Sequence, residues 1–202
     1  MAGNQTKQSN YSRVINIIYK QGKISKQEIA TQLDLSLPTV SNNLKLLSEK
    51  KLIFDDGKFE SQIGRRAVAY SVYARRYVAL GLAMFNDHAQ ITTVDLKGNE
   101  VASQKLTVPY SNEEEYFQKI CELIKNFVEA IHLNDDQILG LGVAIPGLVS
   151  PDHQTVLYGK ILNCGGLTTA RFERYLPYTV NFFHDANCVA YAEHFKTKER
   201  RD

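Results

Sequence analysis

The sequence SKQEIATQLDLSLPTVSNNLKLLSEK at residues 25–50 decides the fold of the first part of the chain, because it contains two helix starts separated by a short break. Ser25 and Glu28 have the spacing of a capping box, in which each side chain bonds a backbone N–H group of the first helical turn. Ser36 is placed to cap a second helix, with Pro38 in the first turn, where a missing N–H does little harm. Two short capped helices in succession predict a helix-turn-helix.

The second predicted helix has an apolar side and a polar side. At about 100° per residue, one stripe that we expect to be buried consists of Leu37, Val40, Leu44 and Leu47. The polar side suits DNA, because Asn bonds an adenine edge bidentately whereas Ser, Thr and Lys more often hold the phosphate backbone. Any surface helix is also polar outward, so the helix alone leaves both interpretations open. The candidate DNA-binding residues are Pro38, Thr39, Ser41, Asn42, Asn43 and Lys45.

Charge is divided unevenly along the chain. Residues 1–76 hold 13 Lys and Arg against 6 Asp and Glu, a formal charge of +7, whereas residues 77–202 hold 11 against 16, a formal charge of −5. A basic segment joined to an acidic one predicts that only the first is attracted to phosphate. We therefore predict a winged helix-turn-helix DNA-binding domain with its linker at 1–76 and a separate domain at 77–202.

The residues after the second helix are typical of a wing. Two extended apolar runs at 52–54 and 68–73, with turn chemistry at 55–58, predict a two-stranded wing. Arg65 and Arg66 lie between the strands, and paired arginines on a loop suit a narrow minor groove. On their own they are more typical of a solvated basic loop without a partner, but their place beside the second helix favours DNA. Upstream, the apolar residues of 7–20 predict one more helix.

Composition is that of an ordinary globular protein. The hydrophobic content is 44%, no apolar run approaches the ~18 residues of a membrane span, and the N-terminus lacks a signal-peptide core. We therefore expect a cytoplasmic protein without a membrane partner. Cys121, Cys164 and Cys188 are widely separated and form no CxxC pair, so reduced, packed thiols are expected and no metal site.

The second domain alternates strands and helices. Its β-rich runs are 77–85, 89–96 and 100–108, with a turn at 97–99. A capping-box spacing at Ser111 and Glu114 then opens a long amphipathic helix. The nearly all-apolar run 138–145 suits a strand buried on both faces. This order predicts an α/β domain.

Several segments together resemble a known family. They are the basic winged helix, GRRAVAY (64–70), VDLKGNEV (94–101), ILGLGVAIPGLVS (138–150) and FFHDANCVAYAEHF (182–195). The chain resembles the ROK family of sugar-responsive bacterial repressors and sugar kinases over nearly its whole length. The resemblance implies an actin-like, ribonuclease-H-like fold whose lobes clasp a sugar or sugar phosphate. The predicted fold is therefore a winged helix-turn-helix domain followed by an α/β actin-like lobe, which is incomplete because the chain ends soon after the last motif. We expect a fragment, the product of a prematurely ended open reading frame, or a natural short form.

The resemblance also supplies candidate sugar contacts. They are Asn163, His184 and Asp185, with Gly147 letting a loop approach the ligand closely. In the kinases of the family, the aspartate that matches Asp185 takes the proton from the sugar hydroxyl. His184 stands where the family commonly has Asn, so the identity of the sugar stays open.

The kinase alternative meets a difficulty in the phosphate loop. Family kinases have an Asp-x-Gly-Gly-Thr loop, and the matching positions here are Ala83, Phe85, Asn86 and Asp87. Bulky side chains replace the glycines, and Asp87 adds negative charge where a triphosphate would lie. We therefore expect no enzyme activity and no cofactor.

The predicted function is that of a sequence-specific DNA-binding transcriptional regulator, a repressor of carbohydrate-utilisation genes that responds to a sugar or sugar phosphate. Its partner is a double-stranded operator, and a homodimer is expected because winged-helix repressors ordinarily bind two half-sites. A ROK-type sugar kinase with an appended helical module is the alternative function. In a third possible function, the first domain binds a protein instead of DNA.

Overall fold

The computed structural model of the chain describes residues 9–59 and 67–199. The chain divides into two compact units, residues 1–76 and 77–202. Helices with a small antiparallel sheet form the first unit, and a mixed sheet with helices forms the second. The order of these elements confirms the predicted fold class, a helix-turn-helix with a wing followed by an α/β unit. None of the helices in the described residues is long and apolar enough to cross a membrane.

The described residues of the first unit form three α-helices and three strands. Its helices are α1 (Asn10–Gln21), α2 (Lys26–Leu33) and α3 (Leu37–Glu49), and its strands are β1 (Ile24–Ser25), β2 (Ile53–Lys58) and β3 (Val68–Val72). The strands pair antiparallel in the order β1-β3-β2, so β1 adds a strand that the sequence did not predict. All three helices contribute to one core, whose buried side chains include Val14, Ile18, Ile29, Val40, Leu44 and Leu47.

The predicted start signals of α2 and α3 are confirmed. Ser25 Oγ accepts a hydrogen bond from the Glu28 N–H at 3.3 Å, and Glu28 Oε2 accepts one from the Ser25 N–H at 2.8 Å. Ser36 Oγ accepts a hydrogen bond from the Thr39 N–H at 3.3 Å. Between the helices, Asp34 has a left-handed backbone with a φ of 51°, a conformation that Asp tolerates better than most residues. These local bonds fix where α3 begins and therefore which of its faces meets the core.

Two predictions for the first unit are wrong. Leu37 is 44% exposed and lies outside the buried stripe, because it is the first residue of α3 and helical side chains lean toward the N-terminus. Residues 55–58 do not form a turn, since β2 continues through them with a shift in its register against β3. Gly57 has a φ of 76° and donates its N–H to Asp55 Oδ1. Turn-forming residues here produce a β-bulge within a strand.

The second unit contains a five-stranded sheet. The strands of the unit, five of which form this sheet, are β4 (Val78–Met84), β5 (Ala89–Asp95), β6 (Glu100–Leu106), β7 (Ile138–Ile145), β8 (Leu148–Val149), β9 (Val156–Tyr158) and β10 (Val180–His184). Its helices are α4 (Glu114–Ala130), α5 (Ala170–Glu173) and α6 (Asp185–Glu199). The sheet order is β10-β7-β4-β5-β6, in which β10, β7 and β4 are parallel and β4, β5 and β6 form an antiparallel meander. A separate hairpin joins β8 to β9.

One face of this sheet lies on the core of the unit. Its side chains join those of α4 in a single buried cluster that includes Leu80, Leu82, Leu141, Val143, Phe182, Phe117, Ile120 and Ile124. The small residues on the opposite face of β4 and β7 are only half-buried: Gly81, Ala83, Gly142 and Ala144. The prediction that 138–145 is buried on both faces is therefore wrong for the described residues. Burial alternates along the strand because successive side chains point to opposite faces of the sheet.

The start of α4 also differs from the prediction. Its N-cap is Glu113, no side chain caps it, and Ser111 Oγ accepts a hydrogen bond from the Glu113 N–H instead. The Glu114 carboxylate does not turn back along its own helix, because it accepts hydrogen bonds from Arg174 at 2.6 Å and Tyr175 at 2.7 Å. A tertiary contact thus replaces the predicted capping box.

Candidate nucleic-acid interface and cleft

The outer side of α3 presents the candidate DNA contacts. The buried stripe of the helix faces the core, so the opposite side faces solvent. The three exposed candidates on that side are Pro38, Asn42 and Lys45. The three half-buried candidates on the flanks are Thr39, Ser41 and Asn43. The structure thus places all six on one helix but divides them into an outward line and two flanks.

Two of the flanking side chains are bonded to their own helix. Ser41 Oγ donates a hydrogen bond to the Leu37 carbonyl at 2.7 Å. Asn43 Nδ2 donates one to the Thr39 carbonyl at 2.8 Å. Side chains of this type compete for backbone groups in this way. Both are held against the helix, which limits what they can offer to another molecule.

The outward side chains have fewer internal partners. Lys45 Nζ lies 3.9 Å from Glu49 Oε1, and both side chains are exposed, so the ion pair is weak. Asn42 makes no side-chain hydrogen bond to any residue that the structure describes. Arg65 and Arg66, the candidate wing contacts, lie outside the described residues.

The second candidate site is a cavity of about 450 Å³ in the second unit. Its lining residues are Pro146, Gly147, Leu148, Tyr158, Lys160, Ile161, His184 and Asp185. Three of the four predicted sugar contacts, Gly147, His184 and Asp185, therefore meet at one place. Asn163 is exposed and is not among the lining residues.

Parallel strands bring these residues together. In the register of β7 and β10, His184 lies beside Ile145, so the residues that follow each strand emerge at the same sheet edge. His184 Nδ1 is 3.5 Å from Asp185 Oδ1. A Cβ atom on Gly147 would lie 2.5 Å from the Tyr158 carbonyl oxygen. Glycine is therefore required where the loop after β7 passes the β8–β9 hairpin.

Among the lining residues that sequence reasoning missed are Tyr158, Lys160 and Ile161. Tyr158 and Ile161 are exposed apolar side chains, and the Lys160 amine lies between them along the chain. They come from the β8–β9 hairpin and the residues after it, where the sequence has no strong periodic pattern. Their approach to His184 and Asp185 depends on tertiary packing that no local signal encodes.

A larger cavity of about 720 Å³ lies between the end of α4 and the residues after α5. It contains none of the predicted sugar contacts, and two of its charged groups, Asp135 and Arg174, already have partners. Tyr178 donates a hydrogen bond to Asp135 Oδ1 at 2.6 Å, and Arg174 pairs with Glu114. We therefore take the smaller cavity as the candidate cleft.

Of the positions that match a kinase phosphate loop, Ala83 lies in β4, and Phe85, Asn86 and Asp87 lie in a tight turn between β4 and β5. The Phe85 N–H donates to the His88 carbonyl, and the two rings stack with their centroids 4.5 Å apart. His88 Nδ1 is 2.7 Å from Asp87 Oδ1, and this hydrogen bond holds the pKa of Asp87 below its usual value. Aromatic bulk and a carboxylate thus occupy a turn where a phosphate cradle needs open backbone N–H groups.

Two of the three cysteines are consistent with packing, whereas Cys188 is half-buried. Cys121 and Cys164 are buried, and burial raises the pKa of Cys121 to about 12. The thiolate that binds metals or attacks electrophiles is therefore disfavoured at this position.

Two protein-family models match the chain, one in each of its two units. A model described as winged helix-turn-helix DNA-binding matches residues 12–53, and a model described as the ROK family matches residues 79–201. Over 191 residues the chain is 28% identical to the DNA-binding transcriptional dual regulator NagC of Escherichia coli K12, covering 94% of this chain and 47% of that protein. Over 150 residues it is 23% identical to the xylose repressor of Bacillus subtilis 168, covering 74% of this chain and 39% of that protein. The chain thus spans about half the length, or less, of these curated relatives.

One solved structure is similar over both units. It is described as a ROK family transcriptional regulator that is a homolog of the E. coli MLC protein, and the TM-score is 0.63 at 18% sequence identity. The match covers 87% of this chain and 45% of that chain. At this identity the likeness shows the fold alone, and it confirms the predicted winged unit followed by part of an actin-like lobe.

Proposed function

The chain belongs to the ROK family, and on that premise we propose that it is a sequence-specific DNA-binding transcriptional regulator. The observation that supports this most directly is the solvent-facing polar side of α3 on a unit of formal charge +7. The two relatives named above are a transcriptional regulator and a xylose repressor. We extend their role to this chain as repression of carbohydrate-utilisation genes.

The proposed DNA contacts divide between two grooves. A helix of this size fits the major groove, where base edges differ from one another. The residues of α3 proposed to lie there are Pro38, Thr39, Ser41, Asn42, Asn43 and Lys45. Arg65 and Arg66 are proposed to enter the minor groove, where negative potential is concentrated. Because one such unit makes few contacts, we propose that a homodimer binds two half-sites of a double-stranded operator.

The proposed effector is a sugar or sugar phosphate held in the 450 Å³ cavity. Small-molecule sites of this size combine apolar walls with a few convergent polar groups. The His184 imidazole and the Asp185 carboxylate can bond sugar hydroxyl groups, and the Lys160 amine suits a phosphate. Gly147 provides the close approach of backbone to ligand, and Asn163 is proposed as a further contact from the neighbouring loop.

We also propose that the chain is not a sugar kinase. Phosphoryl transfer depends almost wholly on positioning and on stabilising negative charge. The stacked Phe85 and His88 rings and the exposed Asp87 carboxylate oppose both requirements. ATP-dependent phosphorylation of a hexose, lost in Asp185→Asn, would restore the kinase alternative.

The experiment that tests the proposal is selection of genomic DNA fragments by the purified 202-residue chain. We expect enrichment of a small set of fragments next to carbohydrate-utilisation genes. Titration of one enriched fragment in the presence of monosaccharides and their phosphates should then show one that changes the affinity. Recovery of random fragments only, all displaced by nonspecific competitor DNA, would contradict the proposal and favour a protein-binding role for the first unit.

A further inference from the structure

We infer that Asn42 is the one residue of α3 that specifies an adenine, so that each half-site of the operator contains one A·T base pair fixed by this side chain. The inference rests on the proposed function and adds to it the chemistry of the base that is recognised. It depends on the arrangement of donors and acceptors along the outer side of the helix.

Asn42 lies in the middle of the side that faces away from the core. Pro38, Asn42, Lys45 and Glu49 are spaced by three or four residues, so their side chains follow one another along a single line of the helix. All four are exposed. This line is opposite the buried stripe. Because α3 packs on its own unit through the stripe, the line is the side of the helix that can enter the groove.

Only one residue of this line can satisfy adenine. In the major groove adenine presents an acceptor, N7, beside a donor, the N6 amino group. Pro38 has no polar side-chain atom, Lys45 only donates, and an ionised Glu49 only accepts. Asn42 has an amide that donates and accepts at the spacing the adenine edge requires.

The neighbouring polar residues are excluded by their own hydrogen bonds. Asn43 is chemically identical to Asn42, but its Nδ2 donates to the Thr39 carbonyl at 2.8 Å and its side chain is half-buried. Ser41 donates to the Leu37 carbonyl at 2.7 Å. Breaking either bond would leave a backbone carbonyl without that partner. Asn42 has no side-chain hydrogen bond to the described part of the chain, so it gives up only water when it meets a base.

The two adjacent asparagines provide a matched test with the full chain. An operator from the genomic selection is prepared with each adenine replaced in turn by 7-deazaadenine, which lacks the N7 acceptor. We expect one adenine in each half-site at which this change weakens binding by the wild-type chain roughly fivefold or more. The same base replacement should not change the affinity of Asn42→Ala, whereas it should weaken binding by Asn43→Ala as much as binding by the wild type. This comparison is a double-mutant cycle between one side chain and one base atom.

The outcomes separate the inference from the proposed function. Two results would overturn the inference while leaving DNA recognition intact. One is that 7-deazaadenine weakens binding by the wild type and by Asn42→Ala equally. The other is that the effect of 7-deazaadenine disappears only in Asn43→Ala. A wild-type chain that binds no sequence selectively would overturn the proposed function, and the inference with it. Unchanged circular dichroism melting of Asn42→Ala would show that the exposed substitution leaves the fold intact.

Discussion

At the residue scale, Gly147 shows how one atom determines the shape of the candidate cleft. A Cβ on this residue would meet the Tyr158 carbonyl at 2.5 Å and the Gly159 Cα at 3.2 Å, both of them backbone atoms. Backbone cannot move aside as a flexible side chain can, so the loop and the hairpin would have to separate. Gly165, by contrast, has nothing within 4 Å of an added Cβ and an ordinary φ.

These two glycines form a matched pair of variants. Gly147→Ala should destabilise the second unit by about 1–3 kcal/mol, the usual cost of forcing extra volume into a packed site. Gly165→Ala should change its stability by less than about 0.5 kcal/mol. Urea unfolding followed by far-ultraviolet circular dichroism measures both. Equal stabilities for the two variants would contradict the close approach at Gly147.

Single residues were predictable where the interaction is local. The capping box of Ser25 and Glu28 and the cap at Ser36 involve atoms only three residues apart, so their spacing was sufficient. The equivalent spacing at Ser111 and Glu114 was misleading, because Arg174 and Tyr175 lie about sixty residues away in sequence and engage the Glu114 carboxylate. The spacing of two residues along the sequence cannot reveal that distant residues compete for the same carboxylate.

At the scale of elements, α3 depends on its buried stripe to present its outer side. Leu47 is fully buried, whereas Leu46 beside it is 49% exposed. Leu47→Ala should lower the free energy of unfolding of the first unit by about 2–5 kcal/mol, because it leaves a cavity in the core. Leu46→Ala should change it by less than about 0.5 kcal/mol. Since the chain has no tryptophan, circular dichroism during urea titration is the suitable measurement, and similar losses in both variants would contradict the assigned faces.

A carboxylate joins α4 to the residues after α5. Glu114 accepts hydrogen bonds from Tyr175 and Arg174, and Arg171 Nη1 lies 3.4 Å from its second oxygen. The Tyr175 hydrogen bond, with the two arginines, holds the pKa of Glu114 below its usual value. A group with a lowered folded pKa stabilises the fold above its unfolded pKa, and this stabilisation is lost as the pH falls through the folded pKa.

Glu114→Gln should therefore melt at a lower temperature than the wild type near neutral pH. The difference between the two melting temperatures should shrink as the pH falls below about 4.3, the usual pKa of Glu. Glu115→Gln, an exposed neighbour on the same helical turn, serves as the control and should show a smaller difference at every pH. A Glu114→Gln difference that stayed constant from pH 7 to pH 3 would contradict the assignment.

Elements were predictable where burial is periodic. The amphipathic pattern of α4 and the apolar strands of the second unit follow from the alternation of side chains that a helix or strand imposes. Two-sided burial of β7 was not settled by its composition, because small residues such as Gly142 and Ala144 also suit a face that is only half covered. The bulge in β2 was missed because Asp and Gly favour turns and bulges alike.

At the scale of the whole molecule, the division of charge predicts how DNA binding responds to salt. Each phosphate contact lowers the logarithm of the association constant by about 0.9 per tenfold rise in salt. Arg65→Ala and Arg66→Ala should each reduce this slope by about 1 and weaken binding to all sequences alike. Lys119→Ala, an exposed charge in the acidic unit, should leave the slope unchanged. Fluorescence anisotropy titrations between about 50 and 200 mM salt test this, and equal slopes in all four proteins would contradict the minor-groove assignment.

The cleft shows what the sequence could not predict about the molecule as a whole. Gly147, His184 and Asp185 were found because they lie in motifs that resemble a family. Their meeting with Tyr158, Lys160 and Ile161 requires the parallel pairing of β7 with β10 and the position of a short hairpin. Both are contacts between segments distant in sequence, which periodicity and spacing do not encode.

The most direct test of the central claim is the ratio of the affinities of the purified chain for a selected operator and for a duplex of the same length with shuffled sequence. Measured at about 150 mM salt, the ratio should be at least about a thousandfold, as is typical of specific recognition. It should fall toward one when Asn42 and Lys45, the exposed polar candidates of α3, are replaced together by alanine. Equal affinities of the wild-type chain for the two duplexes would contradict the claim that α3 reads DNA sequence.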